Sequence, residues 1–585
     1  MFITTRRAVL CLLLLAGTVA APAPATAAPL PIDLQRATIV SLQQALTNGT
    51  VTSQQLVTAY QERIARFDAA GPRLNAIRVL DPTAMAQAAQ LDEERAGNRV
   101  RGPLHGIPVL IKDNIDAAGL PTTAGAVALR RSVPRGDAFL VQRLRAAGAI
   151  ILGKTNLTEF ANFMTSGMPA GYSGLGGQVR NPYNVAFSPS GSSSGSGAAA
   201  AAALAAVTIG TETSGSILSP AVANSLVGVK PTVGLVSRTG ILPISSTQDT
   251  PGPMARSVSD AAALLTALTG IDPRDPATAR SGGVVGNDYT RALSRTALAG
   301  ARIGMTSGPG GSQGAAYNRA VAVLRAQGAT VVPVTVNGGG LPPSILAYEF
   351  KRDLNAYLAQ LPAGAPMRAL DDIVRFNIAN ADQNTMRFGQ TQLVQSNNIN
   401  LNDPRLRATY EANRDNGIAT ARQRIDSVLR GQSLDAILFF GSGSAGIGAR
   451  AQYPSVAVPI GYDPSSGRPI GMSLLGTAFT EARLLALAFA YEQAAQVWRP
   501  PPEVNAQPSA IQRGQADAGG DCVGDDAAAD GRPPALALPV AGVAGGPGDG
   551  QQPQGGPGAE EVLAEPLPCL DLLGDGAGDL DPSPR

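Results

Sequence analysis

Twice along this chain a helix-like run stops at a glycine and passes directly into a short apolar run. Phe139-Leu140-Val141 leads through Leu144-Arg145-Ala146-Ala147-Gly148-Ala149 into Ile150-Ile151-Leu152. Val321-Ala322-Val323 leads through Leu324-Arg325-Ala326-Gln327-Gly328-Ala329 into Thr330-Val331-Val332. Each reads as a helix, a glycine at its end, and a buried strand. Val109-Leu110-Ile111 is a further strand of this kind, with Lys112 at its end. Helices alternating with short apolar strands predict an α/β fold, a sheet covered by helices. A capping box at Thr52-Ser53-Gln54-Gln55 opens another helix, along which Leu56, Tyr60, Ile64 and Phe67 recur at helical spacing before Gly71.

The chain has 585 residues, 44% hydrophobic and 15% charged, which is enough apolar material for a large core. The expected body runs over 28–505. Before it, Arg6 and Arg7 precede an apolar run from Ala8 to Ala16, and Ala25-Thr26-Ala27 fits a cleavage site. Residues 1–27 therefore read as an export signal, and the protein as periplasmic or secreted. The paired arginines leave the twin-arginine and ordinary secretory routes both open. The apolar run is too short to span a bilayer comfortably, so no stable membrane span is expected after its removal. Over 506–585 Gly, Pro, Ala and Asp dominate, with Asp525, Asp526, Glu560 and Glu561 among few aromatics. That segment reads as a disordered acidic tail, a solvated extension rather than an interaction tail. A net charge of +2 without a basic block predicts no nucleic-acid partner.

Residue counts restrict the chemistry. Cys11 falls in the signal, and Cys522 and Cys569 in the tail, so the body has no thiol for catalysis. His105 is the single histidine, which leaves no histidine-based metal site. Gly191-Ser192-Ser193-Ser194-Gly195 matches a G-x-S-x-G elbow, but in that class the histidine follows the serine, and here it precedes it. His105 accordingly reads as structural. Lysine is the remaining common base, and the chain holds four: Lys112, Lys154, Lys230 and Lys351. None has serine three places before it, which excludes a Ser-x-x-Lys catalyst. Lys112 is the best placed. Burial would drive it neutral, able to accept a proton; pairing with Asp113 or Asp116 is the equal alternative at this level.

Two loops complete the set. Pro189 to Gly197 is almost entirely Ser and Gly and runs into Ala198 to Ala206, a strong helix former. It lacks the lysine of a phosphate-binding loop. Gly210-Thr211-Glu212-Thr213-Ser214-Gly215-Ser216-Ile217 follows the apolar Val207-Thr208-Ile209. A compact Ser-Gly-Ser turn of this kind can aim successive backbone N–H groups at one point, as an oxyanion requires.

Together these segments resemble the amidase signature family. Gly106-Ile107-Pro108-Val109-Leu110-Ile111-Lys112-Asp113, Gly191 to Ser196 and Glu212-Thr213-Ser214-Gly215-Ser216-Ile217 match its three motifs, and Ser192 and Ser216 keep its spacing. Gly153-Lys154-Thr155-Asn156, Arg180-Asn181-Pro182-Tyr183, Gly228 to Thr232, Tyr453-Pro454-Ser455 and Gly471 to Gly476 agree, over roughly 35–500. The resemblance implies one large domain with a central mixed sheet and helices on both faces. It implies Ser216 as nucleophile, Ser192 as bridging serine after a cis peptide bond, and Lys112 as base. Ser193 would help hold the lysine by hydrogen bonding, and the N–H groups of Thr213, Ser214, Gly215 and Ser216 would form the oxyanion hole. Neither metal nor organic cofactor is implied.

Departures bear on substrate. Ser190, Ser194 and Ser214 stand where many members have glycine, and Glu212 where aspartate is usual. Leu218 replaces a common arginine, so anionic substrates lose one partner. Gln248 to Arg256 and Tyr491-Glu492-Gln493 resemble the bacterial peptide amidase branch, which deamidates peptide C-terminal amides. The implied activity is serine-dependent hydrolysis of small-molecule or peptide amides. The rival readings are an exported, catalytically inactive binding protein and an amidotransferase-type subunit.

Overall fold

The computed structural model describes residues 30–337 and 339–504. The expected export signal and C-terminal tail lie outside the described residues. Among the described residues no helix is long and apolar enough to cross a membrane.

Thirteen strands are formed among the described residues. They are β1 (Ile77–Leu80), β2 (Pro108–Lys112), β3 (Ile150–Thr155), β4 (Tyr172–Ser173), β5 (Gly177–Gln178), β6 (Val207–Glu212) and β7 (Val227–Lys230). β8 (Thr250–Ala255), β9 (Arg302–Met305), β10 (Thr330–Pro333), β11 (Ala436–Phe440), β12 (Ser455–Tyr462) and β13 (Pro469–Leu475) follow. Eleven make one mixed sheet in the order β1-β3-β2-β6-β8-β7-β12-β13-β11-β9-β10, and β4 and β5 form a small hairpin. Every residue of β2, β3, β6, β8 and β13 is buried. Because successive strand residues point to opposite faces, such strands are covered on both sides.

Both predicted helix–glycine–strand units form. Helix Phe139–Ala146 precedes β3, and helix Gly311–Ala326 precedes β10. Gly148 and Gly328 take φ of +80° and +91° at the turns between them. The helix after the Thr52 capping box runs over Ser53–Arg63 and loosens into a π turn over Ile64–Ala69. The alanine run behaves differently from its propensity. Its helix begins earlier, at Ser194, and ends at Ala201 instead of reaching Ala206. Two arginines end it: Arg63 donates to the carbonyls of Ala202 and Ala203, and Arg256 to those of Ala200 and Ala205. Cations on the last carbonyls satisfy groups that a continuing helix would have used itself.

This topology brings the motifs to one end of the sheet. β2 lies between β3 and β6 and runs parallel to both, with Lys112 opposite Thr155 and Ile111 opposite Ile209. The carboxyl ends of the three strands therefore lie together, where open α/β sheets build their binding sites. β8 runs antiparallel to β6 and starts at the same end, with Thr250 opposite Glu212. Beside the main core, a second apolar cluster joins Phe160, Leu242 and Ile244 to Phe350, Leu354 and Ile373 from the helices Leu346–Gln360 and Leu370–Ala379.

Candidate active site

Lys112 ends β2 fully buried. Its Nζ lies 2.8 Å from Ser192 Oγ, 3.0 Å from Thr211 Oγ1 and 3.3 Å from Thr211 O. Burial pushes its pKa from the usual lysine range down to about 7, against the opposing pull of the Asp249 and Glu212 carboxylates. As an ammonium it donates to all three oxygens. As a neutral amine it has two N–H groups for the two Thr211 acceptors and one lone pair left for the Ser192 hydroxyl proton. Thr211 is itself held. Asn114 Nδ2 donates to its Oγ1 at 3.0 Å, and Ser193 Oγ donates to its carbonyl at 3.0 Å while accepting from its N–H at 3.2 Å.

Ser193 bonds the Thr211 backbone and so supports Lys112 through Thr211, which sits between them. The alternative pairing of Lys112 with a neighbouring aspartate is overturned. Asp113 forms its ion pair with Lys154 at 3.2 Å, both side chains fully buried, and Asp116 accepts from Tyr357 OH at 2.7 Å.

The Gly191–Ser192 peptide bond is cis. The next residue ties the two serine loops together, Ser193 N–H donating to Ser216 O at 3.2 Å. Close approach requires a glycine two places further on. A Cβ on Gly195 would meet Asn156 O at 2.3 Å and Ala76 O at 2.5 Å. In the second loop Gly215 has φ of +93°, a left-handed conformation that glycine adopts freely. Glu212 Oε2 accepts from the N–H groups of Ile217 and Leu218 at 2.7 and 2.9 Å. Among the described residues the N–H groups of Ser214, Gly215 and Ser216 then have no protein acceptor. The Thr213 hydroxyl is fixed by donation to Asp249 Oδ1 at 2.5 Å. The arrangement sets a deprotonable buried amine, a serine in contact with it, and a second serine flanked by unused N–H donors within adjoining loops.

Known proteins carry the same architecture. The Amidase family profile matches residues 55–443. A probable amidase of Arabidopsis thaliana is 40% identical over 484 residues, 80% of this chain and 92% of that protein. The crystal structure of peptide amidase from Stenotrophomonas maltophilia superposes with a TM-score of 0.74 at 45% identity, covering 80% of this chain and 98% of that one. One component of the glutamyl-tRNA(Gln) amidotransferase of Synechococcus is 32% identical over 81% of this chain and 99% of its own. This chain belongs to the amidase family.

The rest of the amidase site explains itself by packing. His105 is buried, its Nδ1 accepting from Arg101 N–H at 3.2 Å and its Nε2 lying 2.9 Å from Leu91 O, so both ring nitrogens hold backbone. Burial also lowers its pKa. Lys230 donates to Tyr453 O at 2.7 Å from within the sheet. Leu218 is fully buried. A cavity of about 400 Å³ is lined by Ser214 of the second loop and by Gln248, and extends to Arg450. Sequence reasoning gave no role to Asn114, Thr211 or Asp249, which surround Lys112. Thr211 stood one place before the quoted Glu212 motif, and its polar side chain at the end of an apolar strand was the available signal.

Proposed function

We propose that this amidase hydrolyses carboxylic amides through an acyl-enzyme on Ser216, with the C-terminal amides of peptides as substrates. The observation that carries the reading is the 2.8 Å contact between Ser192 Oγ and Lys112 Nζ, a buried amine whose pKa lies at about 7. Lys112 accepts the Ser192 proton as Ser192 accepts that of Ser216. Ser216 Oγ forms a bond to the amide carbon, and the resulting oxyanion takes hydrogen bonds from the N–H groups of the Thr213–Ser216 loop. The proton then returns from Lys112 through Ser192 to the leaving nitrogen, the C–N bond breaks, and ammonia departs. Water adds to the ester with its proton taken along the same relay. The acyl–oxygen bond breaks, Ser216 regains a proton, and the carboxylic acid leaves.

Peptide amides are favoured by the 45% identity to a peptide amidase of nearly the same span. The amidotransferase reading rests on the 32% relative; the reading of Arg6, Arg7 and the apolar run after them as an export signal favours a place outside the cytosol and speaks against it. The test is labelling by a serine-reactive fluorophosphonate, located by peptide mass spectrometry in protein shown to be folded. Modification at Ser216, lost in Ser192→Ala or Lys112→Ala, is the expected result. A folded protein that does not react would favour a catalytically inactive binding protein.

A further inference from the structure

The cavity behind the nucleophile loop has a chemical polarity. It meets the loop at Ser214, the exposed residue two places before Ser216. Its walls set the apolar Leu341, Phe439 and Ile447 beside the polar Gln248 and Ser344. Gly446 lines it too, and a Cβ there would meet nothing within 4 Å, so the space stands open to a ligand side chain. Arg450 is the only charged residue of the lining.

Arg450 has no opposite charge. Among the described residues no carboxylate pairs with it, although fourteen such ion pairs form elsewhere. Two of its N–H groups donate to the carbonyls of Pro342 and Pro343, at 3.1 and 3.4 Å. Those contacts aim the planar fork without neutralising it. A half-buried guanidinium with spare donors, beside a partly apolar cavity, matches a carboxylate in both charge and geometry. Burial alone lowers its pKa, and no neighbouring carboxylate opposes that. Leu218, two places after Ser216, is fully buried and carries no charge.

We propose that this cavity is the subsite for the side chain of the residue whose amide is cleaved, and that Arg450 makes it select acidic side chains. The proposal rests on the peptide-amide reading above and adds to it a substrate class, amides of glutamate-like residues. The charge lost at Leu218 is thus supplied from another element.

Two measurements on the full chain test it. The first is kcat/KM for N-acetyl-Ala-Glu-amide against the isosteric N-acetyl-Ala-Gln-amide. A hydrogen-bonded charge pair is worth about tenfold or more, so wild type should prefer the Glu amide by about that factor. Arg450→Gln should bring the ratio close to one, and Arg450→Lys should keep part of it. The ratio is unaffected by any loss of folded protein. The second is calorimetric titration with N-acetylglutamate against N-acetylglutamine, which needs no turnover. Tighter binding of the acid in wild type, abolished in Arg450→Gln, supports the subsite. Equal binding of the two, or a preference that survives Arg450→Gln, overturns it. Failure to hydrolyse either amide, with the titration as expected, would instead overturn the peptide-amide reading and leave the acidic subsite in place.

Discussion

Activity should rise with pH through a single ionisation near 7, that of Lys112. Its pKa is lowered from 10.5 to about 7 by burial, and the relay requires the neutral amine. The sign follows directly: protons bound below the midpoint block the base, and their loss above it restores activity. With a midpoint near 7, about a tenth of the enzyme is active at pH 6 and about nine tenths at pH 8. kcat/KM should therefore rise about tenfold over that interval and level off. An unperturbed lysine would give about a hundredfold rise over the same interval with no plateau. The assay is ammonia release at low substrate concentration between pH 5.5 and 9.5, with folding checked at each pH by circular dichroism. A profile flat across that range, or one still climbing tenfold per unit at pH 9, would refute the argument from burial.

Other substitutions separate catalysis from packing. Lys154→Met leaves Asp113 buried without its 3.2 Å partner and should cost about 3–5 kcal/mol in urea denaturation; a loss below about 1 kcal/mol would mean the pair is dispensable. Thr211→Val removes the oxygen that accepts from both Lys112 and Asn114, and should lower stability by about 1–3 kcal/mol while reducing kcat, with KM little changed. His105→Ala should lose about 1–3 kcal/mol of stability yet keep the pH midpoint near 7, since its ring only bridges Arg101 and Leu91. A shifted or vanished midpoint in that variant would point to a histidine base.

Much of the scaffold was legible because it is local. The runs before Gly148 and Gly328 carried helical period, turn and strand within about a dozen residues, and all three form. The alanine run misled because its helix end is fixed by Arg63 and Arg256, far away in sequence. Lys112 was recognisable as a strand-end lysine, but its charge state was not. Asp113 lies in the turn just past β2 and pairs with Lys154, while the partners of Lys112 come from positions 80 and 99 residues on. The support Ser193 gives Lys112 runs through Thr211, which only the fold puts between them. Arg450 was invisible for the same reason: its cavity is assembled from segments around 214, 248, 341 and 447.

The central claim is that Ser216 carries out amide hydrolysis. Its most direct test is ammonia release from a short peptide amide by wild type and by Ser216→Ala, prepared identically and shown to share one fold. Wild type should release ammonia steadily, and the variant none above the uncatalysed rate. Equal release by the two would contradict it.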